Sequence, residues 1–147
     1  MHLFINGEIS ESTVDEVWDY VSRAKLINSQ EIKDVYLIIN SQGGCVSSTN
    51  AIINIFSMCP LNITTIGLSE VSSSALALYM LGNERLCYPN TIFLIHDASI
   101  SLDSVRVDDV KGYKKAVEHQ VSFHNKMILS KTNIKAKKLG IVSRLIR

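Results

Sequence analysis

Short runs of aliphatic residues alternate along this chain with stretches whose apolar residues recur every three or four positions. Runs of apolar and β-branched residues occupy residues 3–5, 35–39, 63–66, 86–88 and 91–95, and runs of this length predict strands. Apolar residues at helical spacing follow the segments at residues 10–13 and 47–50 and Asp108, where helix N-termini are expected. The expected N-cap of the first of these helices is Ser10, Ser12 or Thr13. The pattern predicts a wound α/β domain in which strands and helices follow one another.

Several local features predict where these elements end and which side chains they bury. Asn6-Gly7 predicts a turn after the first strand. Residues 35–39 show no polar alternation, which predicts a central parallel strand covered on both faces. Trp18 and Met58 fall at helical spacing with other apolar residues, so both are expected in the core. For the helix after residue 46, the expected N-cap is Ser47, Ser48, Thr49 or Asn50.

The chain is organised around residues 65–81, TIGLSEVSSSALALYML, which predict a strand end, a serine-rich turn and an apolar helix. The helix is expected over residues 73–81, and it is apolar nearly all round, so it must lie inside the protein. Two interpretations of Ser72, Ser73 and Ser74 are open. They cap the helix, or one of them is a nucleophile placed where backbone N–H groups stabilise a developing anion.

Two further stretches place reactive groups at strand ends. Gly43 and Gly44 follow a buried strand, where they either form a tight turn or offer N–H groups to a ligand. His96 directly follows the strand at residues 91–95. It is either a structural histidine or part of a site, because open α/β sheets build sites at the carboxyl ends of their strands.

The long helix expected from Asp108 carries an apolar stripe that includes Val110, Tyr113 and Ile128. His119 and His124 lie on the same helix without a carboxylate spacing that suits a metal. We therefore expect them to be surface or groove residues, and we expect neither a metal nor a cofactor.

Composition narrows the function classes. The chain has 147 residues, of which 46% are apolar and 20% charged, with a formal net charge of +1. This length predicts one domain, and so small a net charge provides no argument for binding nucleic acid or an anionic membrane. Three cysteines without C-x-x-C spacing favour a reducing compartment. No signal peptide or apolar run of about 20 residues is recognisable, so a soluble, cytoplasmic protein is expected.

Three segments, in order, resemble motifs of one family. Residues 38–46, IINSQGGCV, are similar to I-N-S-P-G-G-S-V. Residues 65–75, TIGLSEVSSSA, are similar to T-x-x-x-G-x-A-A-S-M-G, and residues 86–96, LCYPNTIFLIH, to R-x-x-L-P-N-S-x-x-M-I-H. These motifs are those of the proteolytic subunit of the Clp protease (ClpP), a serine peptidase family of the crotonase-like fold.

The resemblance implies roles for four residues, a fold and a set of partners. Ser73 matches the nucleophile and His96 the general base, while Gly44 and Ser74 match the residues whose backbone N–H groups form the oxyanion hole. The implied fold is an α/β, crotonase-like domain over residues 1–147 with a long protruding helix. The implied partners are sister subunits in heptameric rings stacked as a tetradecamer, a Clp ATPase, and unfolded polypeptide substrates.

The chain departs from the family pattern near its C-terminus. The family's triad aspartate lies in a long segment after the protruding helix, whereas this chain is shortened at about residues 130–138 and carries no Asp or Glu after Glu118. The chain could act as a Ser73–His96 dyad, borrow an acid from elsewhere, or serve as an inactive structural subunit. An acyl-CoA enzyme of the crotonase type is a further alternative, and the Ser73 and His96 motifs argue against it.

Overall fold

In the described part of a computed structural model of the chain, four helices are interspersed with six strands. The structure describes residues 1–27, 31–96 and 109–133, together with the backbone of residues 144–146. In chain order the elements are β1 (His2–Ile9), α1 (Glu11–Arg23), β2 (Lys33–Gly44), α2 (Val46–Ser57), β3 (Leu61–Ser72), α3 (Ala75–Tyr79), β4 (Glu84–Cys87), β5 (Ile92–Ile95), α4 (Val110–Lys131) and β6 (Arg144–Ile146). The predicted α/β class is confirmed.

One mixed sheet organises the molecule. Its strands lie in the order β1-β2-β3-β5-β6, and β4 also pairs with β3. All pairings are parallel except that of β5 with β6, which is antiparallel. Because parallel neighbours need long connections, helices link the first strands, and the carboxyl ends of β2, β3 and β5 come to the same edge.

The described helices cover one face of this sheet and leave side chains on the other face partly exposed. Along β2 the side chains of Val35, Leu37 and Ile39 are buried, whereas that of Tyr36 is 39% exposed and Ile38 is half-buried. The prediction that β2 is covered on both faces is therefore wrong. An unbroken apolar run cannot distinguish a strand buried on both faces from one that keeps apolar residues on an open face.

Three strands, β1, β2 and β3, are longer than the runs that predict them. Strand β1 continues through Asn6-Gly7 to the buried Ile9, and its pairing with β2 shifts register between Asn6 and Glu8. Gly7 has φ +79°, so the expected turn is a β-bulge instead. Strand β3 likewise runs on to Ser72, so the expected serine turn begins only at Ser73.

The helices confirm some predicted details and contradict others. Ser10 precedes α1, and its N–H donates to Thr13 Oγ1 at 3.1 Å, which confirms this start. Helix α2 has Cys45 as its N-cap, not one of residues 47–50. Trp18 is 48% exposed and Met58 is 51% exposed, so neither belongs to the core. Helical spacing alone overstated the width of the buried face.

Helices α3 and α4 complete the layer. Helix α3 is only five residues long, shorter than predicted, but all of its side chains are buried as expected. On α4 the buried residues are His124 and Ile128, while Tyr113 is 47% exposed. The predicted stripe is thus buried only toward the helix C-terminus, where α4 packs against α2 and α3. Among the described helices, none is both long and apolar enough to span a bilayer.

Candidate active site

Ser73 lies at a sharp turn between β3 and α3. Its backbone φ is +53°, a left-handed conformation that is unusual for a residue with a side chain. The Ser73 N–H donates to the carbonyl oxygen of Leu94 at 2.8 Å, and the Ser73 carbonyl accepts from the N–H of Leu76 at 3.1 Å. A strained strand-to-helix turn of this type presents a serine hydroxyl at the end of a sheet.

The serine side chains do not cap α3. Ser74 occupies the N-cap position, but it makes no capping hydrogen bond. Instead its hydroxyl donates to the carbonyl oxygen of Gly44 at 3.3 Å. The Ser72 hydroxyl, which is 1% exposed, donates to Glu70 Oε1 at 2.8 Å. Of the two interpretations of this serine segment, the structure thus removes capping.

The Gly43-Gly44 segment packs directly against the Ser73 turn. Gly43 has φ +93°, and a Cβ atom built on it would lie 2.7 Å from Ser73 Cβ and 2.9 Å from the Ser74 nitrogen. Gly44 has φ +147°, and a Cβ there would lie 2.4 Å from the carbonyl oxygen of Ile9. Both positions require glycine, because any side chain would collide with neighbouring backbone.

Hydrogen bonds hold the Gly43-Gly44 segment in place beside the serine turn. The Gly43 N–H donates to Ser41 Oγ at 3.0 Å, which closes the end of β2. The Ser74 hydroxyl donates to the Gly44 carbonyl oxygen and so links the serine turn to the end of β2. The segments that carry the two expected oxyanion-hole residues, Gly44 and Ser74, are therefore in direct contact.

His96 follows the last residue of β5, on the strand beside β3. The parallel pairing places Val71 opposite Phe93 and Ser72 opposite Leu94. Ser73 and His96 consequently leave neighbouring strands at the same edge of the sheet. The side chain of His96 is exposed. Three of the later acids that could act with it, Asp97, Asp103 and Asp108, lie outside the described residues.

A chain of polar side chains, which the sequence analysis missed, supports the end of β3. Asn40 Nδ2 donates to Asn6 Oδ1 at 2.8 Å, and Asn40 Oδ1 accepts from the Glu70 N–H at 3.2 Å. Glu70 then accepts from Ser72, the residue before Ser73. Asn6, Asn40 and Glu70 lie toward the carboxyl ends of β1, β2 and β3, which are neighbours in the sheet. Polar residues at these positions were the signal in the sequence for this chain of hydrogen bonds.

Cys45 was also missed as a chemically distinct residue. It is exposed at the N-terminus of α2, and its Sγ lies 3.0 Å from Ser47 Oγ. Partial burial raises the pKa of the Cys45 thiol, but hydrogen bonds with Ser47 and Ser48 outweigh that effect, so the pKa lies below its ordinary value.

Comparison with known proteins identifies the relatives of this chain. The family model described as Clp protease matches residues 1–142. The ATP-dependent Clp protease proteolytic subunit of Carsonella ruddii is 31% identical over 96 residues, which is 64% of this chain and 48% of the relative. Proteolytic subunit 1 of Rhodopirellula baltica is 26% identical over 130 residues, 83% of this chain and 56% of the relative.

A plastid protein extends the same pattern. The chloroplastic ATP-dependent Clp protease proteolytic subunit 4 of Arabidopsis thaliana is 29% identical over 120 residues, which is 80% of this chain and 40% of that protein. The chain therefore spans about half the length of the curated relatives it matches.

Proposed function

The chain belongs to the Clp protease family, and on this basis we propose that it is a serine-type endopeptidase subunit with Ser73 as nucleophile and His96 as general base. One observation supports the proposal above the others. Ser73 stands in a left-handed turn whose N–H is bonded to Leu94, on the strand that His96 directly follows. A nucleophile and its base must come from elements held in such a fixed relation.

In the proposed reaction, the Ser73 hydroxyl oxygen attacks the carbonyl carbon of a peptide bond while the His96 imidazole takes its proton. The oxyanion that forms accepts hydrogen bonds from the backbone N–H groups of Gly44 and Ser74. Collapse of this intermediate breaks the C–N bond, and His96 returns the proton to the leaving amine. Water, activated by the same imidazole, then hydrolyses the acyl-enzyme ester and restores Ser73.

The proposed substrates are unfolded polypeptides, and the proposed partners are sister subunits in heptameric rings, stacked as a tetradecamer, and a Clp ATPase. The open face of the sheet supports contact with other proteins. On that face Phe4, Ile38, Ile66 and Leu86 lie opposite one another in register across four strands. Phe4 and Leu86 are 49% and 45% exposed, and a contiguous exposed apolar row is typical of a protein interaction surface.

A second proposal is that this chain is a catalytically impaired structural subunit. The observation that favours it is the lack of any Asp or Glu after Glu118, where the family's triad aspartate would lie. Loss of the orienting aspartate reduces kcat by roughly 10⁴ in a serine protease, because the histidine takes the wrong tautomer. On this second proposal, Ser73 keeps its geometry but turns over substrate very slowly.

Two measurements separate these proposals. Hydrolysis of a short fluorogenic peptide by the wild type is compared with that by Ser73→Ala and by Ser69→Ala, which changes an exposed serine on β3, the strand that leads to Ser73. Labelling with a fluorophosphonate, read by mass spectrometry, detects an activated Ser73 without needing turnover.

The outcomes point in different directions. If the chain is an endopeptidase, the wild type and Ser69→Ala should hydrolyse the peptide and be labelled at Ser73. Ser73→Ala should neither hydrolyse the peptide nor be labelled. Labelling of Ser73 without hydrolysis supports the impaired subunit. Equal hydrolysis by the wild type and Ser73→Ala would show that Ser73 is not the nucleophile.

A further inference from the structure

A polar cleft of about 590 Å³ lies at the opposite end of α3 from Ser73. Its walls come from the segment between α3 and β4, from Arg85 of β4, and from the last turn of α4 with the two residues after it. Four side chains on these walls carry nitrogen donors, namely Asn83, Arg85, Lys131 and Asn133. We call this region the basic cleft.

The two cations of the basic cleft contact only carbonyl oxygens among their observed partners. Arg85 Nη1 donates to the carbonyl oxygen of Gly82 at 2.8 Å, and Arg85 Nη2 donates to that of Lys131 at 3.5 Å. Lys131 Nζ donates to the carbonyl oxygen of Met80 at 2.6 Å. Guanidinium and ammonium groups together carry more N–H donors than three carbonyl oxygens accept.

No carboxylate neutralises this pair within the part of the chain that the structure describes. The ion pairs there join Arg23 to Asp19, Lys33 to Glu31, and Lys114 to Glu118. Partial burial lowers the pKa of Lys131, and the positive charge of Arg85 lowers it further. Two neighbouring cations in a partly desolvated cleft repel each other, and a bound anion offsets this repulsion.

Asn83 adds a neutral donor to the same wall. Its side-chain Oδ1 accepts from the Ile63 N–H at 2.9 Å, and its backbone N–H donates to the Ile63 carbonyl oxygen at 2.7 Å. These bonds hold the acceptor end of the amide against β3. The amide NH₂ end then remains to donate alongside the two cations.

We propose that the basic cleft binds a phosphate group through Asn83, Arg85 and Lys131. Arginine and lysine are the usual partners of phosphate oxygens, and an oxyanion with several acceptors suits three donor groups better than a carboxylate with two oxygens. The volume is large enough for a phosphorylated metabolite or nucleotide, so free phosphate and a phosphate ester are the two sources of this one chemistry.

A purely structural role for the cations is the competing explanation. Lys131 and Arg85 bond carbonyl groups just after the C-terminus of α3, where cations stabilise a helix. That role requires no anion, so a direct binding measurement separates the two explanations.

The test is an NMR titration of the ¹⁵N-labelled full chain with inorganic phosphate at constant ionic strength. We expect saturable shifts of amide signals confined to residues around Asn83, Arg85 and Lys131. In Lys131→Met and in Arg85→Met the dissociation constant should increase about tenfold or more. Lys126→Met, an exposed lysine on the same helix, should bind phosphate as the wild type does.

The wild-type titration decides the matter even if a variant fails to fold. Absent or non-saturating shifts would overturn the proposal, as would equal weakening in Lys126→Met. Acetate that competes as well as phosphate would show a general anion effect and would also overturn it. Titration with ADP separates the sources: tighter binding of ADP than of phosphate assigns a phosphate ester, and equal binding assigns the free ion.

Discussion

Gly43 and Ser73 approach so closely that a Cβ atom on Gly43 would lie 2.7 Å from the Cβ atom of Ser73. Real Cβ atoms do not make contacts this short, so the glycine is a requirement of the turn that it faces. The φ of +53° at Ser73 and of +93° at Gly43 place two left-handed residues against each other. The candidate nucleophile therefore depends on a residue thirty positions earlier in the chain.

Substitution of Gly43→Ala should reduce the free energy of unfolding by about 2 kcal/mol or more and abolish fluorophosphonate labelling of Ser73. The added methyl group meets backbone atoms of the serine turn and also occupies a conformation that alanine avoids. Urea denaturation and mass spectrometry measure the two effects.

Gly7→Ala is the matched control for Gly43→Ala. Gly7 has a similar φ of +79°, but a Cβ there would meet nothing within 4 Å. Gly7→Ala should reduce the free energy of unfolding by about 1 kcal/mol, because only the left-handed conformation penalises the alanine. Fluorophosphonate labelling of Ser73 should persist. Equal effects at both glycines would mean that contact with the Ser73 turn has no role.

Strain at Ser73 predicts an unusual order of stabilities for two variants. Ser73→Gly should be about 1 kcal/mol more stable than Ser73→Ala, because glycine adopts positive φ without the cost that a Cβ imposes. Chemical denaturation of both proteins measures the difference.

Ser69 provides the comparison for this order. It lies in β3 and is not among the residues with positive φ, so Ser69→Gly should be less stable than Ser69→Ala. If glycine is the less stable variant at both sites, Ser73 is not strained in solution.

His124 should make the stability of the fold depend on pH. Its ring Nε2 lies 2.9 Å from Asn50 Oδ1, where α4 packs against α2, and burial lowers its pKa from 6.5 to about 4. Between these values the unfolded chain binds a proton that the folded chain does not. The free energy of unfolding should therefore fall as pH decreases below 6.5, by about 2 kcal/mol at pH 5.

His124→Gln removes the titrating ring and keeps a group that can bond Asn50. Urea denaturation at several pH values should show a flatter profile for this variant than for the wild type. His119→Gln, at an exposed position of the same helix, should retain the wild-type slope. An unchanged slope in His124→Gln would assign the pH dependence to other groups.

Cys45 should be the fastest of the three cysteines to react with iodoacetamide near neutral pH. It is exposed and its thiol pKa is lowered, whereas Cys59 is buried with a raised pKa, and the thiolate is the reactive form. Cys87 is exposed and serves as the comparison. Site-resolved mass spectrometry gives the three rates.

Hydrogen bonds with Ser47 and Ser48 are the stated cause of the lowered pKa of Cys45. Ser47→Ala removes one of these partners, so the rate at Cys45 should fall while the rate at Cys87 stays the same. A faster Cys87 in the wild type, or an unchanged Cys45 in Ser47→Ala, would contradict this explanation.

Local sequence information located most of the elements correctly. The strand segments at residues 35–39 and 63–66 lie within β2 and β3, and the buried character of α3 followed from its composition. These features depend on neighbours within a few residues, which the pattern of apolar positions records. Their ends were less accurate: β3 continues to Ser72 because pairing with β5 extends it.

The features that gave wrong predictions depend on distant parts of the chain. Whether Trp18 of α1 or Tyr36 of β2 is buried depends on how helices and sheet pack together, and the pattern within one element does not contain this information. The contact of His124 with Asn50 joins helices far apart in sequence. His124 was expected to be a surface or groove residue, whereas it is buried, and only packing against α2 explains its burial.

The sequence by itself determined the α/β class, the order of the elements and the proposal that Ser73 and His96 act together, because these follow from local patterning and from motif resemblance. Only the tertiary structure decided the left-handed turn at Ser73, its contact with Gly43 and the basic cleft at Arg85 and Lys131. Each of these arises where segments distant in sequence meet, and their packing sets distances that no local pattern contains.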